Sequence, residues 1–174
     1  MRTARRTRDA VAEPSSDSAA AREAALKLLE RTRRTRSDLQ QKLLEKGFTA
    51  LAITEVLDRL QGVGLIDDTE FARAFLAGRW GRKPAGWRRL QQELRAKGVG
   101  DEAVTAARAA IEEREGAVDE VATAGKLVVQ ARRRYARLDP RARQQRLYAL
   151  LARRGFDGDV IRKALAIGDD EAGE

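Results

Sequence analysis

The stretch LQQKLLEKGF at residues 39–48 decides the fold of this chain, because close variants of it occur twice more. The second copy is LQQELRAKGV at residues 90–99, and the third is LYALLARRGF at residues 147–156. Aligned on their glycine, all three copies keep leucine eight and four residues before it, a basic residue directly before it and an apolar residue directly after it. The glycines are 51 and 57 residues apart, and a period of this length indicates a repeated supersecondary unit.

Each copy has the features of a helix that ends at its glycine. The two leucines lie four residues apart and therefore share one helix face, and glycine adopts at low cost the left-handed conformation that ends many helices. A second apolar series follows, with Ile53, Val104 and Ile161 six residues beyond the glycines, and it predicts another helix packed on the first. We predict an all-α protein, a tandem repeat of three three-helix bundles with about nine helices, elongated and able to curve.

The segment boundaries follow from where this periodicity begins and ends. The three repeats are predicted at residues 21–66, 67–115 and 116–167. They are flanked by a polar segment at residues 1–20, which is predicted to be disordered, and by an acidic tail at residues 168–174.

Three local signals predict where helices start. Ser37, three residues before Gln40, is typical of a capping box at the start of the second helix. Asp101 is predicted to cap the sixth helix. Asp139 followed by Pro140 predicts the start of the eighth, because proline is favoured in the first helical turn.

The composition excludes several classes of function. Among its 174 residues the chain has no cysteine and no histidine, so it lacks thiolate nucleophiles, the commonest zinc ligands and the commonest general base at neutral pH. The acidic stretch at residues 67–70 could be read as a metal site, but it is more typical of a helix start. We therefore expect a protein that is not an enzyme and needs no cofactor. Without an apolar run of about 18 residues or a secretory signal, we expect a cytoplasmic protein. Because the sequence gives no clear oligomerisation face, we expect a monomer.

Positive charge is concentrated in the third repeat. The net charge is +8, and residues 116–167, with twelve basic and five acidic residues, contribute +7 of it. Such an uneven field indicates an anionic partner, although arginines also line solvated helix faces and stabilise helix C-termini. The candidate contact residues for a protein or nucleic-acid partner are Arg79, Trp80, Arg82, Lys83, Arg88, Arg132, Arg133, Arg134, Arg137, Arg141 and Arg143.

Several motifs between residues 37 and 99 resemble those of the RecX family of regulatory proteins. They are SDL at 37–39, VLDRL at 56–60, GLIDDTEFA at 64–72, EL at 93–94 and KGV at 97–99. The third repeat matches this family more loosely, and the resemblance extends over roughly residues 21–167.

The resemblance implies both a fold and a function. RecX proteins are bacterial, non-enzymatic modulators of the RecA recombinase, built as tandem three-helix repeats that bind along the helical groove of the RecA–DNA filament. The resemblance thus implies a protein that lowers ATP hydrolysis, strand exchange and co-protease activity of RecA, in recombination, DNA repair and the SOS response. Its expected partners are the RecA filament and single- or double-stranded DNA. The alternative is a helical-repeat protein that binds DNA through phosphate contacts without RecA.

Overall fold

The fold is all-helical. The computed structural model describes residues 15–82 and 84–170, but not the side chains of residues 80–82 and 168–170. Within these ranges there are nine α-helices and one short 3₁₀ turn, Arg133–Tyr135, and the only β-type pairing is an isolated bridge between Ser15 and Phe48. The helices are α1 Ser18–Arg31, α2 Arg36–Glu45, α3 Ala50–Gly62, α4 Asp68–Arg82, α5 Trp87–Ala96, α6 Asp101–Glu115, α7 Glu120–Arg132, α8 Pro140–Arg153 and α9 Gly158–Asp170. The prediction of an all-α three-helix repeat is confirmed.

The repeated sequence pattern forms the hydrophobic cores. The paired leucines of α2, α5 and α8 are all buried, as are the apolar residues six and nine positions after each glycine. Gly47, Gly98 and Gly155 end these helices with φ of 85°, 76° and 82°, which is the left-handed conformation that glycine adopts without a steric penalty. The same local sequence therefore makes the same helix, the same turn and the same buried face three times.

The chain divides into two compact units, one up to Asp67 and one from Asp68 onward. The first unit is α1–α3 around a core of its own. Ion pairs also hold its helices: Arg36 Nη2 lies 2.6 Å from Asp58 Oδ1, and Arg34 Nη1 lies 2.6 Å from Asp38 Oδ2. These two arginines therefore have structural roles in the first unit.

Two predicted helix caps are wrong, and one is confirmed. The cap of α2 is Thr35, whose buried hydroxyl accepts from the Asp38 amide at 3.1 Å, so Ser37 lies inside the helix. Asp101 is the first residue of α6 and pairs with Arg95 at 2.6 Å. Asp139 does cap α8, because its carboxylate accepts from the Ala142 amide at 3.0 Å.

The first helix also begins earlier than the predicted repeat boundary at residue 21. Asp17 caps α1 by accepting from the amides of Ala19 and Ala20 at 2.9 and 3.0 Å. Ser15 is tied to the α2–α3 turn, since its amide donates to the Gly47 carbonyl at 2.7 Å. The segment at 1–20 is thus ordered from residue 15, and its residues 1–14 lie outside those described.

The second unit contains repeats two and three, joined at a contact between two glycines that we name the glycine joint. The Gly86 amide donates to the Arg154 carbonyl at 2.9 Å. A Cβ atom added to Gly86 would lie 2.3 Å from the Gly155 oxygen, and one added to Gly155 would lie 2.4 Å from the Arg89 Cβ. Because neither position has room for a side chain, the backbones of the two repeats pack directly on each other.

Candidate functional site

The candidate arginines of the third repeat cluster around the connection from α7 to α8. Arg132 ends α7, Arg133 and Arg134 form the 3₁₀ turn, and Arg137 lies in the turn after it. Arg133, Arg134, Arg137 and Arg141 are exposed, whereas Arg132 and Arg143 are partly buried. The structure therefore brings four of these six side chains to the surface on one short stretch of chain.

Arg143 has a structural role at this connection. Its Nη2 atom donates to the carbonyl oxygens of Ala136 and Leu138 at 3.2 and 3.1 Å. These carbonyls lie between two helices and have no helical partner, so the guanidinium satisfies them and holds the turn against α8. Exposed Arg137 lies in that turn and is positioned by it.

The third repeat has an additional helical turn at this connection. The caps of α2 and α5, Thr35 and Gly86, stand twelve residues before their glycines, whereas Asp139 stands sixteen residues before Gly155. The extra turn at the start of α8 contains Arg141. This turn has no counterpart in the first two repeats, so the bundle itself does not require it.

A groove of about 540 Å³ runs between α8 and α9, and we name it the α8–α9 groove. Its walls come from both helices, and its lining residues are Arg141, Gln144, Gln145, Tyr148, Arg162, Leu165 and Ala166. Sequence reasoning identified only Arg141 among them. A signal was present, because Tyr148 stands seven residues before its glycine, where the other copies of the repeat have Gln40 and Gln91.

The candidate residues of the second repeat have different environments. Arg79 forms an ion pair with Glu93 and lies over the Phe75 ring at 5.5 Å, so packing within the repeat accounts for its position. Arg88 is 66% exposed and lies 3.6 Å from Asp157 of the third repeat. The side chains of Trp80, Arg82 and Lys83 lie outside those that the structure describes, and their contact role stays a prediction.

The glycine joint adds two arginines that are not among the candidate contact residues. Arg89 Nη1 donates to the Arg153 carbonyl at 3.2 Å, and Arg154 Nη1 donates to the Pro84 carbonyl at 3.1 Å. Beside the joint, Arg88, Arg89 and Arg153 line a polar cleft of about 380 Å³. No local signal marks this cleft, because its two walls belong to different repeats.

Glu93 positions the arginines at this joint. Burial raises its pKa, but hydrogen bonds from Arg89 and Arg79 outweigh burial and hold the pKa of Glu93 below its ordinary value. Because the carboxylate is more acidic in the folded chain than in the unfolded one, its stabilising contribution is present above its unfolded pKa. That contribution is lost as the pH falls through the lower, folded pKa.

We therefore expect Glu93→Gln to destabilise the chain at neutral pH, with a penalty that shrinks as the solution becomes acidic. Urea unfolding of both proteins from neutral to acidic pH measures this difference. Asp101→Asn is the matched control for the loss of an arginine-paired carboxylate away from the joint. The pKa of Asp101 is also lowered, through its hydrogen bond with Arg95. A Glu93→Gln penalty that is the same at every pH would contradict the assignment.

Among the described residues, no group of three or more carboxylate, cysteine or histidine side chains could hold a metal ion. The helices in the same ranges are either too short or too polar to cross a bilayer.

Comparisons with known proteins agree with this architecture repeat by repeat. Models of the first, second and third three-helix domains of RecX match residues 21–60, 67–107 and 118–165. The regulatory protein RecX of Halorhodospira halophila is 35% identical over 169 residues, covering 92% of this chain and 96% of the relative. That of Mycobacterium tuberculosis is 38% identical over 140 residues, covering 78% of each chain.

Solved structures show the same fold. The crystal structure of RecX from Lactobacillus salivarius superposes with a TM-score of 0.78 at 23% identity, covering 88% of this chain and 97% of that one. A second crystal structure of regulatory protein RecX gives a TM-score of 0.75 at 27% identity, covering 86% of this chain and 73% of the other.

Proposed function

Because this chain belongs to the RecX family, we propose that it regulates the RecA recombinase by binding the filament that RecA forms on DNA. Binding lowers RecA's ATP hydrolysis, strand exchange and co-protease activity, and so restrains recombination, DNA repair and the SOS response. The chain acts by contact and not by catalysis, as a monomer, in the cytoplasm where the filament assembles.

The observation that supports this proposal best is the set of exposed arginines around the α7–α8 connection. Arg133, Arg134 and Arg137 precede α8 in the connection that Arg143 holds in place, and Arg141 lies in the first turn of α8. A filament on DNA contains backbone phosphates, so closely spaced exposed cations are complementary to it.

The repeated architecture supports binding across several sites of a filament. Each three-helix repeat has its own core, and each presents a separate exposed surface. When one repeat is bound, the chain keeps the other repeats near the filament at high effective concentration, so individually weak contacts combine into tight binding.

The experiment that tests this proposal is a titration of the protein into RecA on single-stranded DNA, following ATP hydrolysis. Binding to bare DNA is measured in the same buffer. We expect inhibition at a small fraction of the RecA concentration, because one bound molecule affects many subunits of the filament. Linear inhibition that is fully accounted for by DNA sequestration would contradict the proposal.

The concentration of charge in the third repeat also favours a second candidate, direct DNA binding without RecA. This candidate predicts tight binding to bare duplex whose log K falls by ~0.9 per phosphate contact for each unit of log salt. Negligible duplex binding at ~0.1 M salt, where counterion release still favours a basic protein, would rule it out.

A further inference from the structure

The α8–α9 groove exposes an aromatic side chain that the helical bundle does not need. Tyr148 is 43% exposed, while Gln40 and Gln91 occupy the equivalent position in the first two repeats. Gln40 is exposed and Gln91 is half-buried, so a three-helix core of this kind forms with a polar side chain there. Tyr148 is therefore not explained by packing within its own repeat.

The groove is shaped so that Tyr148 and a cation converge. A Cβ atom placed on Gly158 would lie 3.6 Å from Tyr148 Oη and 3.5 Å from Arg162 Nη1, so both groups lie beside this glycine. Leu165 and Ala166 add apolar surface to the same groove. The same groove thus has an aromatic side chain, a guanidinium and apolar surface in its lining.

The remaining lining residues offer hydrogen bonds and positive charge. Gln144 and Gln145 add two side-chain amides, and Arg141 lies two helical turns before Tyr148 on α8. Within the described part of the chain, none of these three side chains makes a hydrogen bond or an ion pair with another residue. The groove's lining includes two arginines and no carboxylate, although Asp159 beside it pairs with Arg162.

We propose that the α8–α9 groove binds an unpaired nucleobase of single-stranded DNA, with the base stacked on Tyr148 and the flanking phosphates on Arg141 and Arg162. That the single strand is DNA and not RNA rests on the proposed function. Aromatic stacking beside a positively charged track is how proteins hold single strands, because every base has a flat face and every linkage has a negative charge. The amides of Gln144 and Gln145 hydrogen-bond the exposed edge of the base.

The strand continues from this groove toward the α7–α8 connection. Exposed Arg137 lies in the turn that precedes α8 and is held there by Arg143. A strand that passes Arg141 at the start of α8 therefore reaches further cations. The base contact and the phosphate contacts come from different side chains and can be separated by substitution.

The test uses the full chain and fluorescence anisotropy with labelled oligothymidine, a labelled duplex of the same length and a labelled RNA single strand. We expect Tyr148→Ala to weaken single-strand DNA binding by about 5- to 150-fold, which corresponds to the ~1–3 kcal/mol of one stacked base. Duplex binding should be unchanged, because duplex bases are already stacked and paired. Tyr148→Phe should bind like the wild type, since the aromatic face is kept.

Two further variants separate stacking from charge and from general surface effects. Arg141→Ala should reduce the slope of log K against log salt by about 0.7 for one single-strand phosphate, whereas Tyr148→Ala should leave that slope unchanged. Ile167→Ala is the matched control, because Ile167 is an apolar α9 residue, 47% exposed, that lines a different groove. It should bind all three nucleic acids like the wild type.

Several outcomes would overturn the assignment. The first is a wild-type protein that does not bind bare single strands. The second is a Tyr148→Ala variant that loses equal affinity for single strand and duplex. The third is a Tyr148→Phe variant that binds single strands as weakly as Tyr148→Ala. Tyr148-dependent binding that favours RNA would overturn the choice of DNA. A wild-type protein that binds DNA through Tyr148 but does not inhibit RecA would uphold the groove and refute the proposed regulatory function.

Discussion

Replacing Gly155 by valine is expected to lower the free energy of unfolding by about 2–5 kcal/mol. Two physical costs add at this position. Gly155 has φ of +82°, and holding a residue with a Cβ atom in that conformation costs ~1–2 kcal/mol. The new Cβ would also lie 2.4 Å from the Arg89 Cβ and 2.6 Å from the Arg89 amide nitrogen, and such overpacking costs a further ~1–3 kcal/mol.

Gly47→Val is the matched control for this prediction. Gly47 ends α2 as Gly155 ends α8, with φ of +85°, but no atom lies within 4 Å of the Cβ it would receive. Valine at Gly47 should therefore cost only the conformational ~1–2 kcal/mol. Urea unfolding of both variants, followed by circular dichroism, measures the difference. Equal penalties would show that repeats two and three are not tightly joined at Gly155.

Charge reversal at Arg133, Arg134 and Arg137 is expected to weaken inhibition of RecA by roughly 3- to 150-fold. Three exposed contacts would be lost, each worth ~0.2–1 kcal/mol, and the new carboxylates would repel DNA phosphates. These side chains are exposed, so helical content should not change. The measurement is the concentration that halves ATP hydrolysis by RecA on single-stranded DNA.

A control with the same change in net charge separates this surface from a general electrostatic effect. Arg22, Arg31 and Arg114 are exposed on α1 and α6, and reversing all three changes the net charge equally. We expect this variant to inhibit RecA like the wild type. If both triple variants inhibit equally well, or lose inhibition equally, the α7–α8 connection has no special role in binding the filament.

The repeat architecture could be predicted because it depends on residues that are close together in the chain. Leu90 and Leu94 share a helix face wherever that helix packs, and Gly98 permits the left-handed turn that ends it. The helix caps were less predictable, because a hydroxyl or carboxylate caps a helix only if its residue directly precedes the first helical residue. Thr35 and Ser37 are both suitable by type, and the start of α2 at Arg36 selects Thr35.

The candidate site could be predicted only in part, because net charge does not show what a guanidinium contacts. Arg79 and Arg143 contribute to the positive charge like every other arginine. In the fold, however, Arg79 pairs with Glu93, and Arg143 bonds the carbonyls of Ala136 and Leu138. Arg133 and Arg137 differ from them by being exposed, which no property of the residue type reveals.

The sequence by itself determined that this chain forms three three-helix repeats with positive charge concentrated in the third. Local spacing specifies each helix, each glycine turn and each buried face, and charge is a simple sum over residues. Only the tertiary structure decided that Gly86 meets Gly155 and that Tyr148 and Arg162 both lie beside Gly158. The physical reason is that these contacts depend on how separate helices pack, and a groove or a joint exists only where two packed elements supply its walls.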